Sequence, residues 1–178
     1  MTRIIGGTAG GRRIRTPTGD STRPTSDRVR EALFSALEAS LGSLAGLRFL
    51  DLYAGAGVVT LVEQDRRTAA LIRDNARTLG FGGVDVVVSS VSRVLAHPPH
   101  APYDVVFADP PYPLPADDVD ADLASLAAHG WLAADAVVVV ERGRRGDPPT
   151  WPEGLEAGRE KRYGETVLWY GHAAAPPP

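Results

Sequence analysis

The stretch Leu-Arg-Phe-Leu-Asp-Leu-Tyr-Ala-Gly-Ala-Gly, residues 47–57, decides the fold class. An apolar run ends there in a carboxylate, Asp51, and opens at once into a loop with glycines at alternate positions. Glycine has no side chain, so a ligand can approach the backbone of such a loop closely. A second β-prone run, residues 58–62, is followed by Glu63, and an acid at this position usually binds a ribose diol. The pattern predicts a nucleotide-binding α/β sheet.

The spacing within this region conflicts with that prediction. Only five residues, 58–62, separate Gly57 from Glu63. Two adjacent parallel strands need a crossover of about a dozen residues or more, usually a helix. Either the two strands pair antiparallel, or a segment on the order of 10–15 residues is absent between Gly57 and Val58. We favour the absent segment, because a glycine loop of this kind normally opens a helix.

The remaining chain alternates between helical and strand patterns. Apolar residues at helical spacing predict helices at 27–40, 66–79, 92–96 and 117–130, and β-prone runs predict strands at 84–88, 103–108 and 136–140. Two further runs, 155–162 and 165–170, predict a closing pair of strands antiparallel to the sheet. The fold class is therefore α/β, with a Rossmann-like sheet that is mostly parallel and has an antiparallel C-terminal strand.

Three regions are expected along the chain: a basic arm at 1–24, one α/β domain at 25–172 and a disordered tail at 173–178. Within the arm, two β-prone pieces flank a glycine-rich link and predict a β-hairpin. An apolar content of 43% and a charged content of 23% are typical of a soluble globular protein. The sequence shows neither a membrane span nor the apolar core of a signal peptide, and it contains no cysteine, so we expect a cytoplasmic protein.

Charge is distributed unevenly. Residues 1–30 contain seven arginines and two aspartates, a balance of +5. Because the net charge of the chain is −3, the other 148 residues carry a charge of −8. A basic arm on an acidic body suggests a polyanionic partner. The candidate phosphate contacts are Arg12, Arg13, Arg23 and Arg30. His97 and His100 lack a third metal ligand nearby, so we expect a solvated loop there and no metal.

Asp109-Pro110-Pro111-Tyr112 follows the apolar strand 103–108. The prolines end strand pairing and send the chain away in one direction, beside a carboxylate and an aromatic ring. A simple strand-ending turn with a surface tyrosine would give the same letters. The functional interpretation is amino methylation: the Asp109 carboxylate and the Pro110 carbonyl accept the two N–H groups of a base, and Tyr112 stacks on its face. A dinucleotide site would require Gly or Ala three positions after Gly57, where Thr60 stands.

Taken together, these motifs resemble those of class I amino methyltransferases. Thr22-Arg23-Pro24-Thr25 and Val29-Arg30-Glu31 narrow the resemblance to the RsmD family, bacterial 16S rRNA (guanine-N2)-methyltransferases, over residues 4–168. The resemblance implies S-adenosylmethionine as methyl donor, a 16S rRNA guanine in an assembled or nearly assembled small subunit as acceptor, and a monomer. It implies a catalytic group of Asp109, Pro110, Pro111 and Tyr112, and a donor site of Asp51, Tyr53, Ala54, Gly55, Gly57, Glu63, Gln64, Ser90, Val91 and Asp109.

Two alternatives stay open from the sequence. The Asp-Pro-Pro-Tyr motif does not distinguish guanine from adenine or cytosine, in DNA or another RNA, because all three bases carry an amino group. A non-catalytic RNA-binding or ribosome-assembly factor would keep the fold without the chemistry. The short interval between Gly57 and Glu63 is the observation that favours this second alternative.

Overall fold

The computed structural model describes residues 2–3, 11–16, 27–52, 60–111 and 113–174. Seven strands form one mixed sheet in the order β5-β4-β3-β6-β7-β9-β8. Strand β9 is antiparallel to both of its neighbours, and the other adjacent pairs are parallel. The strands of this sheet are β3 (Phe49–Asp51), β4 (Thr60–Glu63), β5 (Asp85–Val88), β6 (Tyr103–Ala108), β7 (Leu132–Gly143), β8 (Leu155–Tyr163) and β9 (Thr166–Ala173). The predicted fold class is confirmed.

Two short strands of the arm, β1 (Thr2–Arg3) and β2 (Arg13–Ile14), pair antiparallel, as the predicted hairpin requires. Four helices connect or precede the strands of the main sheet: α1 (Asp27–Leu41), α2 (Arg66–Leu79), α3 (Val91–Leu95) and α4 (Ala116–Ala128). Helix α2 has sharp ends, because Asp65 accepts a hydrogen bond from the Thr68 N–H at 2.7 Å and Gly80 adopts φ 76°. These local signals explain why the predicted limits of α2, residues 66–79, agree with the observed ones.

The two faces of the sheet are covered differently. On the face of α3 and α4, one continuous core runs across the central strands and includes Leu50, Val62, Val106 and Val138. On the opposite face the buried residues form two separate clusters, one under α1 and one under α2. Strand pairing places Phe49 and Asp51 of β3 on this second face, between the two clusters. Among the described residues, the core on this second face therefore consists of two clusters that are separated at β3.

The connection between β3 and β4 is short. The two strands are adjacent and parallel, with Leu50 opposite Thr60, so the antiparallel alternative is wrong. Leu52 still donates its N–H to the Phe107 carbonyl at 3.0 Å, which leaves seven residues, 53–59, to reach Thr60. Seven residues are fewer than the dozen or so of a helical crossover. The junction of Gly57 and Val58, where a segment is predicted to be absent, lies outside the described residues.

The main differences from prediction concern the start of β7, the direction of β8 and the start of the tail. Strand β7 begins at Leu132 rather than at residue 136. Asp135 adopts φ 60°, and the register between β6 and β7 shifts in this region, so the first residues of β7 do not show the sequence pattern of a regular strand. Strand β8 is antiparallel to β9 and so runs in the direction of β7; only β9 opposes the sheet. The tail was expected to begin at residue 173, but Ala173 pairs with Leu155 and Ala174 donates its N–H to Gly154.

Candidate active site

Three carboxylates lie at the carboxyl ends of three adjacent parallel strands. Asp51 of β3 is opposite both Leu61 of β4 and Phe107 of β6. Glu63 lies two residues after Leu61, and Asp109 lies two residues after Phe107. The two acids therefore flank the end of β3, one on each side. This edge of a parallel sheet is where α/β proteins bind ligands. The structure therefore brings together Asp51, Glu63 and Asp109, as the sequence predicted.

Glu63 is held by the turn that leads into α2. Its Oε1 accepts a hydrogen bond from the Asp65 N–H at 2.7 Å. Burial raises the pKa of Glu63 above its ordinary value; the Asp65 N–H bond opposes this shift, and the negative charge of Asp65 reinforces it. Asp65 itself is exposed, and its hydrogen bond from the Thr68 N–H lowers its pKa. The turn thus supplies a half-buried carboxylate in a defined position, suited to accept hydrogen bonds from ribose hydroxyls.

The end of β5 lies against the end of β4. Ser89 donates its N–H to the Glu63 carbonyl at 3.3 Å, which places Ser90 and Val91 next to Glu63 and Gln64. Gln64 and Ser90 are exposed, whereas the Val91 side chain is buried in the core. Because Val91 turns its side chain inward, it can offer a ligand only backbone groups. The contact of this backbone with an adenine edge stays a prediction.

The remaining predicted donor contacts, Tyr53, Ala54, Gly55 and Gly57, lie outside the described residues, as does Tyr112 of the acceptor motif. Pro110 is buried and Pro111 is exposed at the end of β6. The Pro111 carbonyl accepts a hydrogen bond from the Leu114 N–H at 2.8 Å, so the motif closes into a turn before α4.

Glu141 is a residue at this edge to which the sequence assigned no role. It is 6% exposed at the end of the apolar run in β7, and the pairing of Val140 with Ala108 places it beside Asp109. The signal was present in the sequence, since an acid at a strand end also identified Asp51 and Glu63. Glu141 therefore lies next to the acceptor motif in the sheet, with its side chain buried.

A cavity of about 490 Å³ opens next to the acceptor motif. It is bounded by residues from the ends of β6, β7 and β9, namely Pro110, Arg142, Gly143, Arg144, Arg145, Gly146 and Glu165. No sequence pattern connects this arginine-rich loop with Asp109, because about 30 residues separate them. Parallel pairing of β6 with β7 brings the two regions together.

The predicted phosphate contacts fall in different places. Arg12 donates hydrogen bonds to the carbonyls of Thr78 (2.6 Å) and Leu79 (3.1 Å), the last residues of α2. Because α2 connects two parallel strands, its C-terminal end lies at the amino edge of the sheet, away from the three carboxylates. Arg13 is exposed, Arg30 lies in α1, and Arg23 lies outside the described residues. Their contact with RNA remains a prediction.

Within the described ranges, no three His, Cys, Asp or Glu side chains are grouped so that they could hold a metal ion. His129 instead places Nδ1 2.7 Å from the Leu95 carbonyl, where it joins α4 to α3. None of the helices in the described part of the chain is long and apolar enough to cross a membrane.

The sheet order, with an antiparallel strand inserted next to the last, is that of class I methyltransferases. The family model described as conserved hypothetical protein 95 matches residues 2–172, and the chain belongs to this family, the RsmD family. It is 34% identical to ribosomal RNA small subunit methyltransferase D of Escherichia coli K12, over 93% of this chain and 86% of that protein. The Haemophilus influenzae protein of the same name is 32% identical, over 91% of this chain and 89% of its own length.

A solved structure described as "putative methyltransferase yhhF from Escherichia coli" superimposes with a TM-score of 0.84 at 33% identity, covering 98% of this chain and 99% of that one.

Proposed function

We propose that this protein transfers a methyl group from S-adenosylmethionine to the N2 amino group of a guanine in 16S rRNA. Three lines of support converge: the class I methyltransferase fold, relatives named small subunit rRNA methyltransferases, and the acceptor motif. The observation that carries the proposal is the position of Asp109-Pro110-Pro111 at the carboxyl end of β6. That position is next to the strand that leads into the glycine loop.

The acceptor residues would overcome the low reactivity of the base. The lone pair of an exocyclic amino group is delocalised into the ring, so the nitrogen is a weak nucleophile. The Asp109 carboxylate and the Pro110 carbonyl would accept its two N–H hydrogens and favour a pyramidal nitrogen, with Tyr112 stacked on the base. As the N–C bond forms and the S–C bond breaks, the nitrogen loses a proton, for which Asp109 is the nearest base of the motif.

The donor residues would position the reactive methyl group. A sulfonium carries its own activation, so orientation can supply most of the remaining acceleration. Glu63 would hold the ribose hydroxyls, Gln64 and the Ser90-Val91 backbone would flank the adenine, and the glycine loop would hold the methionine part. Asp51 would stand at the end of β3 between the two halves of the site.

The natural substrate would be 16S rRNA within an assembled or nearly assembled small subunit, bound by a monomer. The test is incubation of labelled S-adenosylmethionine with small subunits from cells that lack the protein, followed by nucleoside analysis of the rRNA. We expect one product, N2-methylguanosine. Label on adenine, on cytosine or on DNA supplied in parallel would contradict the proposal and support the alternative amino methyltransferases.

A second candidate function is that of an RNA-binding or ribosome-assembly factor without methyl transfer. The seven-residue connection between β3 and β4 favours it, because seven residues are fewer than a helical crossover after the donor loop needs. Calorimetry with S-adenosylmethionine separates the two candidates. Binding at micromolar concentration would support the enzyme, whereas association with small subunits but no donor binding would support the assembly factor.

A further inference from the structure

The last two residues of β7 and the turn that follows them bring three arginines close to the acceptor motif. Arg142-Gly143-Arg144-Arg145-Gly146, which we call the arginine turn, contains three arginines in five residues. Its backbone is tied in place: Arg144 donates its N–H to the Glu165 carbonyl and Gly146 donates to the Gly143 carbonyl, both at 2.8 Å. A Cβ at Gly146 would lie 3.2 Å from the Gly143 oxygen, so the turn is also tightly closed. The arginines are presented from a fixed backbone.

The three arginines have different surroundings. Arg142 is half-buried, and its Nη2 makes a long hydrogen bond of 3.5 Å to the Leu114 carbonyl in the turn after the acceptor motif. Arg144 and Arg145 are exposed. The ion pairs among the described residues join Arg77 to Asp74 and Arg162 to Glu160, so neither exposed arginine has a carboxylate partner there. Arg142 supports the acceptor turn, and the other two present their charge to the cavity.

Acidic groups also lie near the turn. Glu165 lines the same cavity and Asp147 follows Gly146 in the chain, while Asp109 and the buried Glu141 stand at the ends of β6 and β7. The positive charge is therefore local to the exposed side chains of Arg144 and Arg145, which form no ion pair within the described residues. By contrast, Arg12 of the arm uses its guanidinium at the amino edge of the sheet. The arginine turn, unlike Arg12, lines the same cavity as Pro110 of the acceptor motif.

We propose that Arg144 and Arg145 bind phosphate groups of the RNA strand on either side of the target base. This inference rests on the proposed function. A base that is methylated on its amino group must be withdrawn from its stack into the site, so the phosphates that flank it come close to the pocket entrance. The cavity of about 490 Å³ at Pro110 is within the range of small-ligand pockets and has room for a nucleotide. Arginine's planar fork suits phosphate oxygens.

The test compares Arg144→Glu/Arg145→Glu with the wild type, using small subunits from cells that lack the protein. Both side chains are exposed, so we expect normal folding and unchanged donor affinity by calorimetry. The KM for subunits should rise tenfold or more, while kcat at saturating subunits changes little. Affinity for subunits should also depend less on salt. The steepness with which log affinity decreases as log salt concentration increases should fall by about two, one for each phosphate that the variant no longer binds.

Matched single variants show whether position matters. Arg145→Glu and Arg93→Glu make the same charge change, and Arg93 is an exposed arginine of α3. Compared with Arg93→Glu, Arg145→Glu should raise the KM for subunits more and should make the affinity for subunits less dependent on salt concentration. Equal effects of the two, or an unchanged KM and salt slope in the double variant, would overturn the inference. A wild type that neither methylates nor binds subunits would instead contradict the proposed function.

Discussion

The two halves of the site stand on strands of unequal length. The acceptor half stands on β6 and β7, which pair through Ala108 and Val140 over strands whose central valines are almost fully buried. The donor half stands on the ends of β3, β4 and β5, and β3 has only three residues. Among the described residues, those buried on the face of α1 and α2 form two separate clusters. One sheet therefore offers the ends of long, buried strands to one substrate and the ends of short strands to the other.

The largest effect is expected from Asp109→Ala. Loss of an acceptor that pairs with the reacting amino group should lower kcat by about 100-fold or more, as removal of a preorganised transition-state hydrogen bond does elsewhere. Because the resemblance also places Asp109 in the donor site, donor affinity by calorimetry should fall, but far less than kcat, which would place the main defect in the acceptor half. Asp109→Asn is the matched variant that keeps the size and removes the charge. Full activity of the alanine variant would refute the assigned role.

Tyr112 should have the next largest effect. Stacking of a base on an aromatic ring is worth about 1–3 kcal/mol, so Tyr112→Ala should lower kcat/KM by roughly 5- to 150-fold. Tyr112→Phe keeps the ring and should retain most of the activity. Steady-state kinetics with small subunits measure both variants. A phenylalanine variant as poor as the alanine variant would show that the hydroxyl, rather than stacking, is what matters.

The donor half can be tested by lengthening it. Insertion of a helix-forming segment of about 12 residues between Gly57 and Val58 would give the β3–β4 connection the length of a normal crossover. We expect S-adenosylmethionine affinity to rise about tenfold or more, because the glycine loop would then open the helix that such a loop normally opens. A Gly/Ser insertion of the same length is the control. Equal affinity in the original protein and both variants would show that the short connection already forms a complete donor site.

A smaller effect is expected from the protonation of Glu63. Its pKa is raised by burial, so the ionised form is lost at a higher pH than for an ordinary glutamate. If that carboxylate accepts hydrogen bonds from ribose hydroxyls, donor affinity is greatest above the raised pKa and falls as the pH decreases through it. Calorimetry between neutral pH and about pH 5 would measure this. Glu63→Gln should bind several-fold more weakly at neutral pH and lose the pH dependence.

The elements that were predicted accurately carry their own signals. Helix α2 has an aspartate cap at one end and Gly80 at the other, and β6 is a continuous apolar run closed by Asp109 and two prolines. The start of β7 was missed because Asp135 adopts a left-handed conformation, which interrupts the alternation that defines a strand. Glu141 and the arginine turn were missed as site residues for another reason. Their importance depends on which strand lies beside β6, and neighbours in a sheet are not written in local sequence.

The chemical groups of the site can be read from the sequence alone: an acid after each of three strands, a glycine loop, and a proline turn beside Asp109. Local rules suffice there, because strand ends and backbone turns depend on residues close together in the chain. It took the tertiary structure to establish that β3 and β4 pair parallel across a seven-residue connection, that Arg12 binds the end of α2, and that the arginine turn lies next to Pro110. These outcomes depend on strand order and register, which are set when distant segments bury their apolar faces together.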